Sequence, residues 1–287
     1  MIDALSNGLG GQSTLLLHWA AERRIPARFS ITADTGSEED RVMSDGTRTT
    51  AREFFDKHVA PMCRRSGIGA FFVRSKFKDG SEFPALHEQM AAGGLERQNV
   101  PMFGSDGGRL RQTCTDKWKM RAIRQCLRQL GAKRARNAVG IHYGEAWRRI
   151  SGTPQLLFTW RNLSYRTYQT VDGRKPPKPI RWMSHYYPLV DSMMNREAVR
   201  DELNRLGLPY LKTSECDFCP HQDDERWLSH TPESLERSAK LEEVYDGEFF
   251  FTDRRIPLLL AVEDMRRNPK PSDPAFGCRD NNNLCGI

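Results

Sequence analysis

Three groups of residues in this chain have the types and spacing to do chemistry. The first opens it. Ala4-Leu5-Ser6-Asn7-Gly8-Leu9-Gly10-Gly11-Gln12-Ser13-Thr14 is a short apolar run leading into a glycine-rich turn, and Leu15, Leu16, Leu17, Trp19 and Ala20 then begin a helix. Such a turn binds phosphate, because glycine admits a close backbone approach while free N–H groups and the helix dipole favour an anion. Neither common version fits. Gln12 stands where a lysine would precede Ser13, and Gly8 and Gly10 are followed by Ser13 rather than a third glycine. The plain alternative is a tight connection. The second group is Asp34 at the end of Arg28-Phe-Ser-Ile-Thr-Ala-Asp-Thr35, which reads as a strand. Ligand groups sit at the carboxyl ends of strands in open α/β sheets, so Asp34 falls beside the first turn, where a ribose or base belongs. Its plain alternative is a turn cap with Thr35 and Gly36.

The third group is Cys216-Asp-Phe-Cys219-Pro220, which fits a zinc half-site, an iron–sulfur half-site or a redox pair. A thioredoxin-like pair would come early, at a helix start; this one comes late. A metal needs further ligands, and Cys114, Cys278, Cys285 and His221 are candidates. Thiolates suit both iron and zinc, so spacing does not choose the metal. Cys63 and Cys126 fall in helical patterns and read as packing residues. Arg109 and Arg111 follow the Gly107-Gly108 turn and precede Cys114; their forks suit phosphate or sulfate oxygens, or else water. Weaker candidates are His142 and Glu145, with structural roles as the alternative. Glu38 and Glu39 read as a turn start and Trp227 as core.

The elements that would position these residues alternate. Strand 2–6, helix 13–24, strand 28–33, helix 48–66 and strand 69–74 make a βαβαβ pattern, hence a parallel sheet with covering helices. A helix at 115–131 and a strand at 137–142 follow, then an aperiodic excursion over 151–180. Helices near 195–206 and 222–246 come next, with strand-like 249–251 and 256–262. The chain has 287 residues, 38% hydrophobic and 28% charged, with a formal net charge of +7. That length holds one large core, or a core plus a smaller lobe. No run approaches the roughly eighteen apolar residues of a membrane span, and no basic region precedes a cleavable apolar segment. A cytoplasmic protein with reduced or metal-bound thiols is expected. Between residues 109 and 136 stand ten basic residues against one carboxylate, Asp116. That stretch is a candidate polyanion surface, or a solvated helix face near a nucleotide. The stiff run Arg174-Lys-Pro-Pro-Lys-Pro179 can touch the same partner or stay solvated.

Ser6 to Thr14, with Ala33-Asp34-Thr35-Gly36, resembles the adenine nucleotide alpha hydrolase superfamily. The likeness is greatest to its branch of phosphoadenosine phosphosulfate reductases and ATP pyrophosphatases. It continues in order through Gly107 to Thr115, Lys117-Trp118-Lys119, Tyr187-Pro188-Leu189, Glu215 to Pro220 and the terminal Cys285-Gly286. The resemblance implies a parallel α/β domain with helices on both faces over 1–150. A mainly helical lobe carrying the cysteines would cover 151–287. It implies a nucleotide held by Ser6, Gly8, Gly10, Gly11, Gln12, Ser13, Thr14, Asp34 and Thr35, with Arg109, Arg111 and Lys117 at the reacting groups. Cys114, Cys216, Cys219 and Cys285 would hold a [4Fe–4S] cluster, or Zn²⁺ as the alternative, with Cys278 able to replace Cys114. The family's loop usually carries Asp where Gln12 stands.

The implied reaction uses ATP with Mg²⁺. A substrate oxygen attacks the α-phosphorus, pyrophosphate leaves, and a sulfur nucleophile then displaces AMP. The implied substrate is tRNA or DNA. A cysteine desulfurase or other sulfur donor and a second copy of the chain are implied partners. One rival is reduction of a sulfonucleotide; the chain ends Leu284-Cys285-Gly286-Ile287 and lacks the Glu and terminal His of the reductases' nucleophile motif. The other is a non-catalytic sensor, which Gln12 would suit.

Overall fold

The computed structural model describes residues 1–93, 99–110, 112–145 and 182–270. Arg111, Cys278, Cys285, the side chain of Glu145 and the whole 151–180 excursion, including the 174–179 run, lie outside them. Five strands form one parallel sheet: β1 (Ile2–Ser6), β2 (Phe29–Ala33), β5 (Gly69–Val73), β7 (Ala135–Val139) and β8 (Met183–Tyr186), in the order β5-β2-β1-β7-β8. The register of β1 against both neighbours is continuous, with Leu5 opposite Ser30 and Ala138. Strand order reverses at β1 and β7, and such a switch point opens a crevice at the strands' carboxyl ends.

Alternate residues of these strands feed two cores, as a sheet covered on both faces requires. Leu5 and Ala138 join a core with α1 (Gly11–Ala21), α2 (51–65) and α6 (Arg196–Arg205). Ala4, Ile31 and Val139 join the opposite core, with Ile123 and Leu127 of α4 (115–129). The last strand comes from beyond residue 150. It is followed by the short α5 (Pro188–Asp191).

A third core surrounds Cys216. It draws on α3 (Leu86–Ala91), Met102, Trp118, α7 (Asp224–Leu228), α8 (Pro232–Glu243) and α9 (Leu258–Arg267). Short antiparallel pairs complete the fold: β3 (Arg41–Val42) with β4 (Arg48–Thr49), and β6 (Phe103–Gly104) with β9 (Phe249–Phe250). Trp227 is core, as the sequence suggests. Two expectations are corrected. The apolar run at 256–262 is not a strand but the start of α9. Residues 222–246 form two helices, broken at Ser229-His230-Thr231.

Two helices contain a widened π turn. In α2 it spans Phe55–Val59, just before Pro61. The proline ring has no N–H and crowds the carbonyl four residues back, so a wider turn relieves the conflict. In α4 it spans Thr115–Met120, where the Ser75 hydroxyl donates to the carbonyls of Lys117 (2.6 Å) and Trp118 (3.2 Å). No described helix is long and apolar enough to cross a membrane.

Candidate functional site: a glycine-rich helix start facing a buried thiol

The turn after β1 holds its shape without help from a ligand. Asn7 donates to the Ser30 hydroxyl at 3.1 Å and accepts from the Leu9 N–H at 2.9 Å. Leu9 takes φ +65°, an uncommon conformation for a branched residue, and is buried. Gly10 then caps α1 in an extended conformation and offers the helix no side chain. Ser13 turns its hydroxyl back onto the Gly10 carbonyl at 3.3 Å. The N–H groups of Gln12 and Ser13 meet no acceptor among the described residues; the first helical bond is Thr14 N–H to Gly10. No acidic residue sits in this first turn. An open helix start of this kind carries donors and a positive dipole end.

Gly140, at the end of β7, was missed in the sequence. A Cβ there would lie 3.0 Å from the Ser13 nitrogen and 3.2 Å from the Gln12 carbonyl carbon. A side chain there would crowd the backbone of the first turn of α1. Glycine at 140 therefore keeps the space before the helix start clear. The signal was the sequence Val139-Gly140 at a strand end, legible only once the strand's neighbour was known.

Asp34 sits at the carboxyl end of β2 as expected, and it also makes the plain turn cap. Its Oδ1 accepts from Gly36 N–H at 2.7 Å; its Oδ2 accepts from Arg74 Nε (3.1 Å) and Nη2 (2.5 Å). Gly36 has φ +67°, and a Cβ there would meet that of Ala85 at 2.5 Å, so both conformation and space demand glycine.

The opposite wall carries the cysteine pair. Residues 210–214 run between the first turn and β3: Leu211 bridges Gly10, Lys212 N–H bonds the Val42 carbonyl, and Ser214 Cβ lies 3.5 Å from where a Gly10 Cβ would be. Cys216 thus stands two residues past the contact with the glycine turn. Its Sγ lies 3.4 Å from Thr35 Oγ1. Asp217 accepts the N–H groups of Glu39 (3.1 Å) and Asp40 (3.2 Å), and Ser37 accepts Asp217 N–H, so the loop after β2 wraps the thiol. Glu38 and Glu39 do stand in this loop, but Glu38 is buried in it.

Lys119 rather than Lys117 approaches Cys216. Lys117 Nζ donates to Asn99 Oδ1 at 2.7 Å, while buried Lys119 donates to the Ser214 carbonyl (3.4 Å) and faces Glu38 at 3.7 Å. Glu38 also faces Arg41 at 3.6 Å. Arg41 is 1% exposed, and none of its three guanidinium nitrogens has a hydrogen-bond partner among the described residues. Burial raises the Glu38 pKa against the pull of Arg41 and Lys119. Burial and the Glu38 charge push the Cys216 thiol up to about 12, against the pull of Lys119 and the Thr35 hydroxyl; Cys114 adds to the rise, which brings Cys114 electrically close. A thiol so raised stays neutral near pH 7. Cys63 and Cys126 lie in the sheet cores, and burial raises each to about 11.

Of the expected cysteine ligands, Cys114 and Cys216 share this locale, Cys219 follows in a tight turn, and Cys285 lies outside the described residues. Among the described residues, no three His, Cys, Asp or Glu side chains converge as a metal cage. His221 is taken from the ligand set. Arg109 donates to its Nδ1 at 3.0 Å, so Nε2 carries the proton and donates to Gln112 Oε1 at 2.9 Å. Arg109 also donates to the Pro101 carbonyl and lies over the Phe103 ring, so it fastens the segment before Cys114 to the cysteine loop. His142 is buried at 6%.

Part of the basic stretch is paired within the fold, while Arg121, Arg128, Lys133 and Arg134 stay exposed. Arg124 pairs with Asp116, Arg136 with Asp3, Arg121 lies over Phe83, and Arg128 lies over Trp182. No family model, no curated protein and no solved structure matches this chain.

Proposed function

We propose that this chain is a nucleotide-dependent, sulfur-handling enzyme. It takes ATP at the start of α1, a substrate oxygen attacks the α-phosphorus, and pyrophosphate leaves. A sulfur nucleophile then displaces AMP from the adenylate. One observation carries the reading. The unpartnered N–H groups of Gln12 and Ser13 stand at the sheet's switch point, kept clear by Gly140, and Gly10 packs on Ser214 two residues before Cys216. In this reading the helix start receives phosphate and the segment packed against it carries the thiol, an arrangement that suits adenylation followed by sulfur transfer.

In this reading the α1 start accepts phosphate oxygens and Asp34 accepts from ribose. Mg²⁺ would offset phosphate charge. Cys114 and Cys216, completed by Cys219 and Cys285, would hold an iron–sulfur cluster, with zinc as the alternative. Such a cluster supplies thiolate-bound iron able to carry electrons or sulfur. The proposed acceptor is a nucleic acid, tRNA or DNA. Among the described residues Arg124 is the ion-paired arginine of α4, so exposed Arg121 and Arg128 join Lys133 and Arg134 as its contacts. A sulfur donor such as a cysteine desulfurase completes the reaction.

The test is anaerobic protein, analysed for iron, sulfide and zinc, then incubated with Mg-ATP and tRNA or DNA while pyrophosphate is measured. Pyrophosphate formed in proportion to a nucleic acid, together with bound iron, is expected. Nucleotide binding without pyrophosphate, but with sulfite released from a sulfonucleotide, would replace adenylation by reduction. Nucleotide binding with neither product would leave the sensor.

A further inference from the structure

Asp34 and Arg74 stand together at the carboxyl ends of adjacent strands, β2 and β5, beside the open helix start. Neither is buried: their side chains are 23% and 27% exposed. Both Arg74 bonds go to a single carboxylate oxygen, Oδ2, and the other oxygen takes one bond, from Gly36 N–H. A carboxylate has about four lone-pair positions, so Asp34 retains capacity to accept hydroxyl donors. Arg74 is held by its two bonds to Asp34, and its Nη2 would lie 3.0 Å from a Cβ at Gly36.

In dinucleotide-binding parallel α/β sheets, a carboxylate after the second strand accepts from the ribose 2′-hydroxyl, and an arginine nearby accommodates a 2′-phosphate; the same charge logic extends to a phosphate on the neighbouring 3′ oxygen. This chain has both, locked on one another. The arginine's charge is already matched by Asp34, and Asp34 repels a further anion. We infer that the Asp34–Arg74 pair is a ribose filter: the site takes an adenosine nucleotide with free ribose hydroxyls and rejects one bearing a phosphate on the ribose. This rests on the nucleotide reading above and deepens it. It makes Arg74 a specificity-determining residue and separates ATP from 3′-phosphorylated sulfonucleotides, the substrates of the rival chemistry.

The probes are AMP and adenosine 3′,5′-bisphosphate, which differ only in the ribose phosphate, titrated by calorimetry into the full anaerobic chain. ATP is the reference. The wild type is expected to bind AMP at least tenfold more tightly than the bisphosphate. Asp34→Asn keeps the shape, removes the repelling charge and frees Arg74. It is expected to narrow or invert that ratio by tenfold or more. Arg74→Gln leaves the Asp34 charge unmatched and is expected to widen it, which supplies a second reading should Asp34→Asn fail to fold. Equal binding of the two probes to the wild type overturns the filter while leaving the nucleotide site intact. So does a ratio unmoved by both substitutions. Failure of ATP, AMP and the bisphosphate alike to bind overturns the nucleotide site itself, and the filter with it.

Discussion

Two helix starts in this molecule meet the same physical demand in opposite ways. At α9, the Glu242 carboxylate reaches across from α8 and accepts Leu258 N–H at 2.6 Å, while its other oxygen accepts Phe251 N–H at 2.6 Å. The fold spends a buried acid on a helix whose first turn has none of its own. Burial pushes that acid up to about 7, even though both backbone donors and the helix start pull it down. At α1, among the described residues, neither cap nor first turn supplies an anion and no side chain accepts from the Gln12 or Ser13 N–H. Four other helices are capped by a side-chain oxygen, from Thr50, Asn195, Asp223 and Thr231, while those starting after Ala85, Cys114 and Tyr187 are not. Where α9 is closed by an internal carboxylate, α1 is left for an anion from outside.

The wall facing α1 follows the α9 rule. It balances charge internally, with Glu38, Arg41 and Lys119 around Cys216. Breaking that balance is expected to have the largest effect. Arg41→Met leaves Glu38 buried with only Lys119 against it, and removing one member of a buried ion pair costs about 3–5 kcal/mol. Denaturant unfolding measures this; a loss below about 1 kcal/mol would show that Arg41 is not balancing Glu38.

Next comes the closed helix start. The Glu242 pKa in the folded chain, about 7, exceeds its ordinary value of 4.5. The folded state therefore holds its proton longer than the unfolded state. Stability from this group is full below about pH 4.5 and falls as pH rises through 7, by on the order of 3 kcal/mol at most. Glu242→Gln should flatten that pH dependence in denaturant melts. A slope unchanged by the substitution would assign it to other groups.

Closing the open start by sterics comes third. Gly140→Ala sets a methyl 3.0 Å from the Ser13 nitrogen. Crowding of this kind costs about 1–3 kcal/mol, and nucleotide affinity measured by calorimetry should fall at least tenfold.

Much of this was legible in the sequence, and the reasons are local. The strands 2–6, 28–33 and 69–74 and the glycine turn between the first strand and α1 are written in short apolar runs and nearest-neighbour glycines, so β1, β2 and β5 fall where expected. Cys63, Cys126 and Trp227 read correctly as packing residues for the same reason. What escaped depends on distant partners. Leu258-Leu259-Leu260-Ala261-Val262 reads as a strand because nothing nearby starts a helix; the cap lies 16 residues upstream, in Glu242. Arg41, Lys119 and Arg74 stand in polar surroundings that resemble any solvated turn until the loop after β2 closes on Cys216. Lys117 and Lys119 are indistinguishable by type, and two residues apart on a helix they point to different sides, one to Asn99 and the other to Glu38.

The measurement that tests the central claim most directly gives α1 its own anion. Gly10 is extended with φ −73°, so a side chain is tolerated there, and its Cβ would make only ordinary contact with Ser214 at 3.5 Å. Gly10→Asp places a carboxylate where it can accept the Gln12 and Ser13 N–H groups, as an N-cap does. The account predicts a rise in stability of about 1 kcal/mol together with loss of Mg-ATP binding, at least tenfold by calorimetry. Mg-ATP binding equally well to wild type and Gly10→Asp, or to neither, would contradict it.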